Sequence, residues 1–343
     1  MGKKMGLQSA ADMSTELPGN RLSHIDALRG IASFAVCWFH LTNGYASNSP
    51  VRISGQYGWL GVEVFFVISG FIIPYALYSS GYLLRHDWFK FVWKRIVRID
   101  PPYLVAMLLS LLLLYVSAMM PGFRGVQPDV SMTQILLHLG YLNGIFSYPW
   151  LVVVFWTLAI EFQFYLFISI VFPLIKSKRL LILTLTLLVC LLASFLVPAE
   201  IYVFHYLGLF MLGISVFQYQ VKLIDGKVCA IFLLLAVTNV YFEMGTAVAT
   251  VGLASALLIL FARQLGQSKI LLFLGTISYS LYLLHVPVGG RVINFGTRYV
   301  ESEIGHLVLS LCGLMVCLVA ASIFWKLVEL PAQKWSSRLR YKR

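Results

Sequence analysis

Runs of apolar residues long enough to form membrane-crossing helices alternate along this chain with short polar or basic connections. Tyr103 to Met119, Leu180 to Val197, Val228 to Phe242 and His306 to Phe324 approach or reach the length that crosses about 30 Å of hydrocarbon as helix. Ten-residue segments of strict alternation are missing, which argues against an outer-membrane barrel. The pattern predicts an all-α, polytopic membrane helix bundle of about ten transmembrane helices. They fall at 25–44, 58–78, 102–119, 150–173, 180–197, 202–218, 228–244, 247–262, 270–288 and 306–326. The weakly apolar segment 135–146 is expected to be non-spanning or re-entrant.

Composition agrees with a bilayer as solvent. Of 343 residues, 59% are hydrophobic and 12% charged, and the mean hydropathy of +0.84 is far above that of a soluble protein. A net charge of +12 would point to nucleic acid in a soluble chain. Here the basic residues gather in the connections between spans, so the charge reads as topology and no nucleic-acid partner is expected. With both termini cytoplasmic, every one of the 26 Lys and Arg except Arg52, Arg124, Arg291 and Arg298 falls on the inner side. The expected organisation is a flexible cytoplasmic tail at 1–20 without a cleavable signal, a membrane domain at 21–330 and a basic cytoplasmic tail at 331–343. Cys37, Cys190, Cys229, Cys312 and Cys317 all fall in predicted spans without CxxC spacing, and read as packing residues rather than metal ligands or disulfides.

The chemistry lies in the polar residues that interrupt the spans. Arg29 and His40 are eleven positions apart in RGIASFAVCWFH, three turns plus about 20° of helix, so they share one face about 16 Å apart along the axis. Ionisable groups inside a span are costly, and mark functional sites by default. The topology places Glu63, Glu161, His205 and His285 with His40 in the middle and outer part of the membrane. On the inner side Lys90, Lys94 and Arg98 recur every fourth residue, and Arg95 and Arg98 form an RxxR pair before Pro101 and Pro102 stop the turn. Guanidinium groups suit phosphates because their forked donors bind oxygens two at a time. His40, Glu63 and Glu161 also permit a proton relay in a transporter, which would call for broken helices at matching places in two halves.

Five strings occur in the order of a known family: IDALRGIASFAVCWFH, GVEVFFVISGF, RIVRIDPPY, FWTLAIEFQFY and ISYSLYLLH. Through them the chain resembles the acyltransferase-3 family of polytopic membrane acyltransferases, which includes O-acetyltransferases of bacterial polysaccharides, lipid-linked sugars and peptidoglycan. The resemblance implies a multi-pass enzyme of the inner membrane. It would move an acyl group, usually acetyl, from cytoplasmic acetyl-CoA (acyl-CoA) to a hydroxyl of a saccharide or lipid-linked saccharide at the outer face, with membrane lipid around it. By the same resemblance Arg29 and His40 are the essential pair, and Arg95 and Arg98 match the feature associated with the CoA donor. With no hydrolase-like domain appended, the acceptor is expected to be acylated directly.

The residues alone support a compatible chemistry. CoA carries its charge at one end and its thioester on a long arm, so phosphates held by Arg95, Arg98, Lys94 and Lys90 would let the arm run up toward His40. A neutral imidazole there would take the proton of the attacking hydroxyl, with Glu63 or Glu161 orienting the ring and His285 nearby. An acyl-His40 intermediate is a chemical alternative.

Overall fold

A computed structural model describes residues 22–120 and 127–339, and among these every regular element is helical, without a strand. The expected tail at 1–20 lies outside the described residues, as do Arg21, Arg124, Arg340, Lys342 and Arg343 of the charge asymmetry.

The chain runs through α1 (Ser23–Thr42), α2 (Pro50–Gly55), α3 (Gly61–Ser79), α4 (Leu84–Met119), α5 (Met132–Leu139), α6 (Phe155–Ile175), α7 (Leu180–Leu196) and α8 (Leu207–Gln220). It continues through α9 (Gly226–Met244), α10 (Thr246–Phe261), α11 (Lys269–Thr276), α12 (Ser278–Leu284), α13 (Gly290–Gly296), α14 (Glu303–Phe324) and α15 (Leu330–Arg338). Wider π turns at His285–Gly289 and Trp325–Glu329 join α12 to α13 and α14 to α15.

By length and apolarity five helical stretches can cross a membrane: Pro50–Ser79, Leu84–Met119, Phe155–Ile175, Gly226–Met244 and Glu303–Arg338. A pair bent by 56°, Lys269–Thr276 with Ser278–Gly296, makes a sixth. α7 and α10 are apolar but have only 17 and 16 residues, or about 25 Å of helix. α1 carries His24, Asp26, Arg29 and His40 within 20 residues, which lowers its apolarity. α5, at eight residues, is far too short to cross, as expected of the 135–146 segment.

α8 is apolar around its whole circumference and is accordingly buried nearly throughout, which makes it the centre of the bundle. Its approach to α3 depends on glycine: a Cβ on Gly70 would stand 2.1 Å from the Phe210 carbonyl oxygen, and one on Gly213 would stand 2.0 Å from that of Val67. Small residues let membrane helices touch backbone to backbone in this way. α6 closes the same core through the stacked rings of Phe164 and Phe210, 3.8 Å apart.

Pro101 and Pro102 do not end the basic turn; α4 continues through them for 36 residues, roughly 54 Å of helix. Neighbouring elements brace the unbroken helix on the N-terminal side of the prolines. Ser336 donates its hydroxyl to the Lys94 carbonyl at 2.8 Å, Tyr279 donates to that of Ile99 at 3.0 Å, and Tyr141 donates to the Asp100 carboxylate at 2.8 Å. Tertiary contacts thus offset a local cost of about 3 kcal/mol per interior proline.

Candidate active site

Two arginines from α4 and one from α1 converge on a single internal cavity. Arg95 and Arg98, one turn apart, present their guanidiniums to the same space as Arg29. Arg95 is held between two rings, 5.2 Å from the centroids of both Phe91 and Tyr165, an arrangement that fixes a cation without neutralising it. Tyr165 also donates its hydroxyl to Glu161, one turn away on α6, and the Ser69 hydroxyl of α3 donates to the same carboxylate oxygen at 3.3 Å. Glu161, expected beside His40, is therefore tied to the arginine end.

A second carboxylate belongs to that end. Glu329 is buried in the π turn before α15; its Oε2 accepts from the Ser280 amide at 3.2 Å and hydroxyl at 2.5 Å, and its Oε1 accepts from the Gln333 side chain at 2.8 Å. It lines the cavity with Arg29 and Arg98, whose charges act on it. Sequence reasoning passed over it. The available signal was one acid in LVELP, just beyond the last predicted span.

The cavity holds about 170 Å³, an order of magnitude more than the 10–15 Å³ or so that one water requires. Val62, Phe65, Thr157 and Tyr282 also line it. There the hydroxyls of Tyr282 and Thr157 are 2.6 Å apart, and Tyr282 also donates to the Val154 carbonyl at 3.3 Å. Beyond Tyr282, 5.6 Å between ring centroids, stands His285; beyond that, at 5.1 Å, stands His40.

His285 is wholly buried, with Nδ1 bonded to the Leu281 carbonyl at 3.1 Å and Nε2 without a hydrogen-bond partner. An Nδ1–H donor leaves Nε2 as a lone-pair acceptor. The residue opens the π turn 285–289, a helix defect frequent at functional sites. The structure therefore brings His40 and His285 together, and Arg29, Arg95, Arg98 and Glu161 together, with Tyr282 between the groups.

Glu63 is buried, its Oε2 makes no hydrogen bond, and its charge acts on Tyr282. Lys90 is exposed, and neither it nor Lys94 lines the cavity. His205 faces Glu243 at 3.6 Å. His138, on α5, holds the loop before α6: its Nδ1 bonds the Gln134 carbonyl at 2.7 Å and its Nε2 accepts from the Leu151 amide at 3.1 Å. Burial lowers its pKa from the ordinary histidine value, as suits a neutral structural ring.

Comparison with known proteins adds a family match: the profile of the acyltransferase domain covers residues 22–326. A protein of Acidianus two-tailed virus, whose assigned name is acetyltransferase ORF330, is 29% identical over 79% of this chain and 84% of its own length. BcsY of Komagataeibacter xylinus, named as a membrane-bound transacylase, is 31% identical over 48% of the chain and 42% of its own length. The O-acetyltransferase OatA of Staphylococcus aureus is 29% identical over 46% and 24%. The chain thus spans less than half of the latter two proteins. No solved structure matches.

Proposed function

The chain belongs to the acyltransferase-3 family of membrane acyltransferases, and from that premise we propose that it moves an acyl group, acetyl in the first instance, from cytoplasmic acyl-CoA to a hydroxyl of a cell-envelope saccharide. In this reading ten spans, six of them long or bent helices and the others α1, α7, α8 and α10, hold both termini on the cytoplasmic side of the inner membrane. The positive-inside asymmetry supports that orientation.

The observation that carries the proposal is a cavity lined by three arginines and by Tyr282, whose ring is 5.6 Å from that of His285, itself 5.1 Å from that of His40. Arg29, Arg95 and Arg98 bind the donor's phosphates, and the acyl-bearing arm extends past Tyr165 and Thr157 toward Tyr282. His40 takes the proton of the acceptor hydroxyl as its oxygen attacks the thioester carbonyl. The C–S bond then breaks, and His40 returns the proton to the departing thiolate, so that free CoA and the O-acyl ester result. His285 stands beside the imidazolium with an unshared nitrogen. A positioned base of this kind contributes about 10² to 10⁴ in rate.

The electrostatics fit the direction of transfer. Guanidiniums remain charged under all ordinary conditions and recognise phosphate with paired donors, whereas the catalytic end carries imidazoles, whose lone-pair nitrogens accept a proton. Comparing envelope glycans of a deletion strain and its parent by mass spectrometry tests the proposal: loss of an acyl increment identifies both group and acceptor. Identical glycans would contradict it.

A further inference from the structure

The arginine cluster lies not at a closed end but at a junction. A second cleft, between α1, α11 and α15, shares Arg29, Ile72, Arg98, Glu329 and Gln333 with the first. Two spaces therefore diverge from the same guanidiniums, one running inward to Tyr282 and one opening among Leu22, Tyr75, Gly275 and Trp325. An anionic ligand with a single arm, such as an acyl phosphate, would occupy one space and leave the other idle. The arrangement suits a molecule with anionic phosphates in the middle and a different arm on each side.

The two arms differ in size and character. The inward arm holds about 170 Å³ and the outer cleft about 530 Å³, the order expected of a threadlike arm against a bulky nucleoside. Two half-buried aromatic side chains line the larger cleft. Tyr75, on α3, is stacked on Phe71 with centroids 5.7 Å apart, and Trp325 opens the π turn that ends at Glu329. Asp26 of α1 and Gly275 of α11 also line the cleft. A Cβ on Gly275 would stand 2.0 Å from the Asp26 carbonyl oxygen, so α11 and α1 are in direct contact and the cleft keeps its shape.

Resting on the acyl-CoA reading above, we propose that this second cleft is the subsite for the adenosine 3′-phosphate end of the donor, with Trp325 and Tyr75 as the planar surfaces that receive the base. Arg29 and Arg98 then bridge both arms through the diphosphate. The subsite makes the protein selective for a nucleotide-linked acyl donor over a simple acyl-phosphopantetheine. Trp325 and Tyr75 act on donor binding and have no part in the proton transfer.

The test is equilibrium binding of CoA and of 4′-phosphopantetheine to the full chain in lipid nanodiscs. The wild-type protein is expected to bind CoA at least about 10-fold more tightly, the scale of one base–aromatic stack. Trp325→Ala and, independently, Tyr75→Leu should weaken CoA binding by about that factor and leave 4′-phosphopantetheine unchanged, while Trp325→Phe should restore CoA binding. Equal weakening of both ligands in the two variants would overturn the subsite, as would a wild-type protein that binds them alike. If neither ligand binds the wild-type protein, the acyl-CoA reading itself falls, and the subsite with it.

Discussion

His40 and His285 stand with their rings 5.1 Å apart, one from α1 and the other at the start of the π turn after α12. The sequence distance between them is bridged by the packing of α1 against α11, where Gly30 and Gly275 admit close contact. His285→Phe keeps a ring of similar bulk and deletes both nitrogens. It is expected to lower kcat by about 10² and leave the KM for acetyl-CoA within a factor of about two. A raised KM with unchanged kcat would move His285 out of the proton-transfer end.

Arg98 lines the cavity and Lys90 does not. Arg98→Ala removes a charge-assisted contact worth about 1.5–3 kcal/mol and should raise the apparent KM for acetyl-CoA about 10-fold or more. Lys90→Ala should leave it unchanged. Steady-state kinetics over a range of donor concentration separates the two.

Tyr165 has two functions that substitution can separate: its ring supports Arg95 and its hydroxyl bonds Glu161. Tyr165→Phe keeps the ring and should leave donor KM near the wild-type value. Tyr165→Leu loses the cation–π contact, about 0.5–2 kcal/mol, and should raise KM several-fold. Equal effects from both variants would assign the role to the hydroxyl instead.

The α3–α8 contact is the mechanical centre of the bundle. Gly213→Ala forces a methyl group against the Val67 carbonyl and should cost at least about 1–3 kcal/mol of stability. Thermal unfolding in detergent measures it, with Gly81→Ala unsuitable as a control because Gly81 has a φ of +67°. Gly44→Ala, in open space, is the better one.

Part of the arginine cluster was legible in the sequence. Arg95 and Arg98 lie one helical turn apart, so spacing alone grouped them; spacing paired Arg29 with His40 instead, and only the fold brings it to the two α4 arginines. The partners of the carboxylates were not legible. Depth in the membrane placed Glu63 and Glu161 beside His40, but depth says nothing about rotation around the bundle. In the fold Glu161 turns to Tyr165 and Ser69, while Glu63 lacks a hydrogen-bond partner on Oε2. Glu329 escaped notice because its neighbours come from α12 and α1, far away in sequence. The continuation of α4 through Pro101 and Pro102 was hidden for a similar reason, since bracing from Ser336, Tyr279 and Tyr141 outweighs the local preference of proline.

The most direct test of acyl transfer through His40 is turnover of labelled acetyl-CoA by the purified protein in proteoliposomes supplied with envelope glycan. The wild-type protein should transfer label to the glycan with release of CoA, and His40→Ala should lose about 10² to 10⁴ of that rate while still binding CoA. Transfer by His40→Ala at the wild-type rate would contradict the mechanism.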